Sequence, residues 1–429
     1  MKIFGLGIIA LLFIYIYSPP LVQFEFGPVK FVAAFAWAYL LLLERAQLFK
    51  FLGVGTVRVC IICLVLCLLY SVGVDALSEW KIVRSYSIAL FLFEVIPSAL
   101  FLSIIIADFS PQDDYIILKF LVAVAVVQGM IALFLFFFPS LNFVINGEML
   151  RHGQGGELSM FRYDYAEYRG FGISGNYFFS MPVFQSIAIL CCIVLGQRFN
   201  GFYVVAIALI LPAITLNARI GLITTAIAVL GMTLFEFFRR GRGKGFWIAS
   251  LILLLLFGLN LIVQEESKNA DSRFRKNLGW IGSMATDSSI ESAVDFLFVP
   301  KNIWLGDGRD IFLIPDEDFR SSDNGYVQSM FYGGIVFCLF EYGAFAAIGS
   351  GGLKSATDER IKDMMVILLV MLIICNFKGD IFGSSNETTR GIALLSIFYI
   401  YKGTSFFSAI DGRKNALTRD NMARSFILR

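Results

Sequence analysis

The chain has one histidine, His152, and ten prolines, and only 16% of its residues are charged, against roughly 25% in an ordinary soluble domain. So little charge excludes a soluble globular enzyme, a disordered chain and a nucleic-acid binder, and a net charge of +2 points to no partner. A single histidine and the lack of any His/Cys/Asp cluster at ligand spacing leave no zinc site, and no metal or cofactor is expected. No GxxxxGK[S/T] loop is present, which excludes a pump driven by its own ATPase. All seven cysteines (Cys60, Cys63, Cys67, Cys191, Cys192, Cys338, Cys375) lie in apolar runs, so they read as packing thiols and no disulfide framework is expected.

What is present is hydrophobic. Such residues make up 58% of the chain, and 45 Phe and 38 Gly stand out in its composition. About 20 apolar residues cross a bilayer core as a helix. Some twelve runs qualify: Ile3–Tyr17, Val29–Leu43, Val59–Val74, Ile88–Ala107, Ile116–Phe138, Phe178–Leu195, Phe202–Leu216, Ile220–Phe238, Phe246–Val263, Tyr326–Ile348, Met364–Asn376 and Gly391–Phe407. The first is not expected to be a removed signal peptide, since no small-residue cleavage site follows it. The expected fold is an all-α polytopic membrane protein. Arg45, Lys50, Arg58, the cluster Arg239–Lys244, Lys354, Arg360 and the basic tail then fall on one side, which the charge rule makes cytoplasmic. Both termini are expected inside, with only Lys30, Lys81, Arg84, Arg219, Lys378 and Arg390 in short outer loops.

This topology divides the chain into helices over 1–138, a long outer loop over 139–177, helices over 178–263, a larger outer loop over 264–325, helices over 326–407 and a basic cytoplasmic tail over 408–429. The larger loop has room for a short helix such as Ser289–Phe298. Loops of this length are uncommon unless functional. They hold cations that orientation does not require: Arg151, Arg162, Arg169, Arg273, Arg275, Arg309 and Arg320. Arg219 stands in a tight turn between two apolar runs, where a guanidinium either reaches a lipid phosphate or binds a phosphate bidentately. Asp323, in Asp323-Asn324-Gly325-Tyr326, is either a helix cap or a general base. Glu94 and Glu341 lie within spans, as proton carriers or as members of buried pairs, with Pro97 marking a kink. Lys119 and Glu236 near span ends read as snorkelling side chains, and Asp113-Asp114 as a metal pair or a solvated turn. Asn386-Glu387-Thr388 fits a glycosylation sequon.

The order of four short motifs is more specific than any one of them. Arg169-Gly170-Phe171-Gly172 with Ser174-Gly175-Asn176 precedes a span, and Asn217-Ala218-Arg219-Ile220-Gly221 separates the next two. Pro300–Gly308 (PKNIWLGDG) comes late in the large loop, and Ser322–Gln328 (SDNGYVQ) leads to Gly333-Gly334-Ile335. This series, over roughly residues 169–335, resembles the O-antigen polymerase and O-antigen ligase superfamily of bacterial inner-membrane glycosyltransferases.

The resemblance implies a GT-C-like helical fold with a partly helical periplasmic cap, and a donor and an acceptor glycan carried on undecaprenyl diphosphate. It also implies a flippase and a chain-length regulator as partners. The ligases carry a His where this chain has Asp323, so the polymerase branch is implied, with the ligase as the alternative. A flippase or secondary transporter is the alternative from another class. By the same resemblance Asp323 activates the acceptor hydroxyl, and Arg219 and then Arg169 stabilise the diphosphate. Arg309, Arg273 and Arg275 would hold a second diphosphate or sugar. Asn324 would contact the glycan, and Tyr326, Trp280, Trp304, Tyr163, Tyr165 and Tyr168 would stack on it or anchor at the interface.

Overall fold

The structure, a computed structural model, describes residues 2–19, 27–77, 84–145, 172–173, 180–196, 201–217, 219–240, 298–309, 311, 322, 324–382 and 386–404. Regular structure among the described residues is helical, with no strand. In chain order the helices are α1 (Lys2–Tyr17), α2 (Pro28–Leu42), α3 (Arg45–Gly53), α4 (Gly55–Leu77) and α5 (Arg84–Leu90). A π turn (Phe91–Val95) joins α5 to α6 (Ile96–Phe109), followed by α7 (Ile116–Phe137), α8 (Pro139–Phe143), α9 (Ser180–Leu195), α10 (Gly201–Thr215) and α11 (Arg219–Arg240). The last three are α12 (Gly325–Ser355), α13 (Glu359–Cys375) and α14 (387–404). Gly55–Leu77, Arg84–Phe109, Ile116–Phe137, Ile220–Arg239 and Gly325–Ser355 are long and apolar enough to cross a membrane, and α1, α2, α9 and α10 are apolar but shorter. This is the make-up of a polytopic all-α membrane protein. The span expected at Phe246–Val263, residues 289–297 of the expected loop helix and the basic tail lie outside the described residues.

The core runs along α9, which is buried from Ser180 to Val194 and packs against α7, α10, α11 and α13. By contrast α4 lies at the periphery, with Ile62, Leu66, Leu69 and Val72 exposed on its outer face. The helices begin earlier than the apolar runs predict. Arg84 and the 387–390 turn are helical, so Arg84 and Arg390, expected as loop cations, are instead buried side chains 9% and 6% exposed. Where the sequence suggests a kink at Pro97, the helix carries a π turn just before the proline, and this has a local cause. Proline has no N–H to give the carbonyl four residues back, which is Phe93. The Trp37 indole N–H donates to Phe93 O at 2.8 Å instead, and the chain passes the proline through a π turn that carries Glu94.

A second interruption divides α12. Gly334 has φ +64° and ψ −164°, a conformation essentially restricted to glycine that costs other residues about 1–3 kcal/mol. Ser329 Oγ donates to Glu341 Oε2 at 2.8 Å across twelve residues, which a straight helix would hold about 18 Å apart. The arm before Gly334 therefore folds back against the arm after it. Residues 303–307 fill the break. Ile335 and Val336 donate their N–H groups to Ile303 O and Trp304 O, and Asp307 N donates to Phe331 O. Two of the ordered sequence motifs thus interlock backbone to backbone, and a Cβ on Gly334 would stand 2.4 Å from Trp304 O.

One end of the bundle is tied by charge. Asp114 accepts from Lys402 Nζ at 2.6 Å and Thr357 Oγ1 at 3.0 Å, and Tyr115 OH donates to Asp358, the cap of α13, at 2.6 Å. Arg239 bridges from α11 to Glu359 at 3.2 Å and Asp363 at 2.7 Å on α13. Asp113 pairs with Lys119 at 2.5 Å, so the Asp113-Asp114 turn is neither a metal pair nor merely solvated: it joins helices. Glu236 is also not a snorkelling group. It shares the face of Met232 and Arg239 that α11 turns toward α13, and it is 4% exposed.

Gly334→Ala and Gly306→Ala are expected to lower the melting temperature of the purified protein strongly, because each combines a positive φ with backbone already in contact. Gly73→Ala, whose Cβ meets nothing within 4 Å, is expected to leave it unchanged. Equal melting of all three variants would remove the interlock from the account.

Candidate functional site

At the end opposite the Asp114 clamp, the helices stop at different depths. Gln128 lies nine residues, about 14 Å, before the end of α7. Its amide nevertheless meets Met181 Sδ at 3.5 Å, in the first turn of α9. Glu94 lies ten residues, about 15 Å, beyond the start of the Arg84–Phe109 span, and it pairs with Arg390 in the first turn of α14 at 3.2 Å. The first turns of α9 and α14 and the end of α1 therefore form a floor recessed below the tops of α5 and α7.

The floor is polar inside an apolar bundle. Ser180 Oγ donates a short hydrogen bond to Glu387 Oε2, and Thr388 Oγ1 donates to Ser180 O at 2.9 Å. Asn217 Nδ2 donates to Met181 Sδ at 3.2 Å. Arg390 also donates to Ile16 O at 3.4 Å, and Tyr15 OH, between Val95 O and Arg390 O at 3.3 Å each, closes the group from α1. Arg219 opens α11 beside this group. Gly221 brings α11 onto α9, since a Cβ there would lie 2.6 Å from Pro182 and Ile214, and Gly221 O accepts from Ser186 and Thr225. Three helix N-termini (α9, α11 and α14) thus share the floor, each presenting the positive end of its dipole.

A second polar group stands next to the α12 break. Arg84 Nη2 contacts Asp380 at 2.9 Å, Ser329 Oγ at 2.9 Å and Glu341 at 3.1 Å, and its guanidinium lies 5.3 Å from the ring centres of Tyr332 and Phe337. Tyr332 OH donates to Asp75 at 2.6 Å, and Asp75 in turn accepts from Ser85 N at 3.0 Å. Glu94 and Glu341 are accordingly members of buried pairs. A charge at membrane depth is held only by such partners.

The expected site residues divide among these places. Arg219 is at the floor by its backbone. Asn324 caps the first arm of α12, accepting from Tyr326 N at 2.9 Å and Val327 N at 3.4 Å, so the cap in this motif is Asn324. Tyr326 packs its ring on Tyr342 and Phe377 and donates its hydroxyl to Ile373 O at 2.8 Å. Arg309 is exposed beside Phe331. Asp323, Arg169, Arg273, Arg275, His152, Trp280, Tyr163, Tyr165 and Tyr168 lie outside the described residues. Asn386 is no glycosylation site: it is 4% exposed and caps α14 through Thr389 N at 3.0 Å.

Sequence reasoning missed Asp75, Arg84, Ser180, Asp380, Glu387 and Arg390. The charged ones stand at or beyond the edges of apolar runs, where charge counting assigns them to loops, and Ser180 lies within the expected Phe178–Leu195 span with nothing to mark it. Among the described residues, no group of three or more His, Cys, Asp and Glu side chains has a metal-binding arrangement. No protein-family model matches this chain, and no curated protein does either.

Breaking one member of a buried pair is expected to cost about 3–5 kcal/mol, because the other charge is stranded. Arg390→Met and Glu94→Gln should each lower thermal stability in detergent, and the double variant should recover much of the loss. Additive losses would show that the two side chains do not depend on each other.

Proposed function

We propose that the chain is a membrane glycosyltransferase that polymerises repeat units carried on undecaprenyl diphosphate, at the periplasmic face of a bacterial inner membrane. The reading rests on the ordered motif series, and the structural observation that supports it most is the recessed floor. Three helix N-termini meet there, and Arg219 stands in the opening turn of α11. Such an arrangement favours a dianionic group. In this reading the chain crosses twelve times and the Asp114 end is cytoplasmic. That end carries Arg239, Lys362 and Lys402 among the described residues, in keeping with the charge rule.

In the reaction the acceptor sugar hydroxyl attacks the anomeric carbon of the growing chain. A glycosidic C–O bond forms, and the bond from that carbon to the diphosphate oxygen breaks. Asp323 takes the hydroxyl proton, and undecaprenyl diphosphate leaves with the negative charge that builds on its oxygens. Arg219, and then Arg169, stabilise that charge, and preorganised cations are most effective where water is scarce. The other outer-loop arginines, Arg309, Arg273 and Arg275, remain with the second diphosphate or the sugars. A ligase would use the same donor, and Asp323 in place of its histidine weighs against that reading.

One observation favours a transporter as the second reading. One helix is broken at Gly334 and another carries a π turn at Phe91–Val95, and a buried carboxylate stands on each of these helices, Glu341 and Glu94. Discontinuous helices of this kind build transporter sites. Both carboxylates, however, are held by arginines, Glu94 by Arg390 and Glu341 by Arg84.

The test is the surface-glycan ladder of cells lacking the gene, with wild type, Arg219→Ala or Asp323→Ala restored. The deletion and both variants are expected to show core plus a single repeat unit while the variants still insert. Ladders of normal length in both variants would remove these residues from the mechanism. Repeat units stranded on the cytoplasmic face in the deletion would favour the transporter.

A further inference from the structure

Residues 299–307 have two properties that rarely occur together. Their apolar side chains point outward: Val299, Ile303, Trp304 and Leu305 are 64%, 43%, 66% and 52% exposed. Much of their irregular backbone is paired within the protein: the N–H groups of 301, 302 and 304–307 and the carbonyls of 302–305 all have partners there. The Asp307 carboxylate accepts from Lys301 N and Asn302 N at 3.1 Å each. The Asn302 amide oxygen accepts from Trp304 N at 3.2 Å and Leu305 N at 3.1 Å, and Asn302 O accepts from Gly306 N at 2.7 Å. The carbonyls of Ile303 and Trp304 are taken by the N–H groups of Ile335 and Val336, and that of Leu305 by Tyr70 OH at 2.5 Å. A loop in water has no need of this, because water supplies the missing partners. A segment in hydrocarbon cannot persist without it.

The depth agrees. Tyr70, which holds Leu305, lies seven residues, about 10 Å, short of the Leu77 end of α4, and α4 at 23 residues is about 34 Å long against a hydrocarbon core of about 30 Å. On α4, Leu69 and Val72 beside Tyr70 are 65% and 42% exposed, and Leu339 on α12 is 66% exposed. The loop's outward side chains thus belong to an apolar belt that helices otherwise form.

We infer that residues 299–307 are a re-entrant segment immersed in the bilayer, with Ile303, Trp304 and Leu305 in contact with lipid acyl chains of the leaflet at the Leu77 end of α4. The inference needs only that the chain is membrane-embedded and is independent of the reaction proposed above. Its consequence is that the large loop is fastened to the membrane at its C-terminal side, next to the α12 break.

The test is fluorescence of a variant keeping Trp304 alone, with Trp37, Trp80, Trp247 and Trp280 changed to Phe, in phosphatidylcholine vesicles. Lipids brominated along their acyl chains should abolish most of its emission, and aqueous iodide should leave it unchanged. Because Trp37 holds the Phe93 carbonyl that Pro97 leaves open, the same measurement is made on wild type and Trp304→Phe, and the bromolipid-sensitive fraction should fall in the variant. Quenching of Trp304 by iodide would place the loop in water. Indifference to both quenchers would mean that protein, such as a second copy of the chain, covers it. Either result overturns the inference.

Discussion

A guanidinium within a helix bundle must find its counter-charges in the protein, and this requirement fixes how Arg84 and Arg390 organise the molecule. Each stands in the first turn of its helix and meets a carboxylate that lies far along another: Glu341 for Arg84, Glu94 for Arg390. Neither pairing is possible if all helices end in one plane. The recessed floor, the fold-back at Gly334 and the π turn at Glu94 are the backbone arrangements that let these charges meet. Buried ion pairs add little net stability over well-packed apolar residues. Their contribution here is to specify which helix ends stand at which depth.

Most of the helices were legible in the sequence, because long uninterrupted apolar runs are what a helix needs to sit in hydrocarbon and are costly anywhere else. Their ends were not. The runs suggest starts near Ile88 and Gly391, whereas the helices begin at Arg84 and 387. Hydropathy stops at the first charge, and a charge with a partner can lie inside a helix. The same error placed Arg84 and Arg390 in loops and hid the partners of Glu94 and Glu341. The fold-back of α12 was invisible because its cause is not local. Gly333-Gly334 marks a position where a break is permitted, but the groups that fill it come from residues 303–307, and pairing across that distance is not written in neighbouring residues.

The candidate site was legible in part. The motif order drew attention to Arg219 and to the 300–308 and 322–335 segments, and the structure brings the last two together at one break. Asn324 and Tyr326 proved to have structural roles as a cap and a packed ring. The polar floor itself is built largely from residues to which the sequence assigned no site role: Ser180, Glu387 from the sequon and Arg390 from an expected loop, with Asn217 from the Arg219 motif. Short polar side chains at the ends of apolar runs look alike in sequence, whether they face water, a headgroup or one another.

The tie at Asp114 gives the molecule a mechanical polarity. Lys402, Thr357, Tyr115 and Arg239 bind α7, α11, α13 and α14 together at one end through charged and hydroxyl contacts within a few residues of their termini. At the other end, among the described residues, the Arg84 and Arg390 groups join helices at different heights. Because the ties sit close to the helix termini, the four helices share a common base there, and their opposite ends stand at different heights above it.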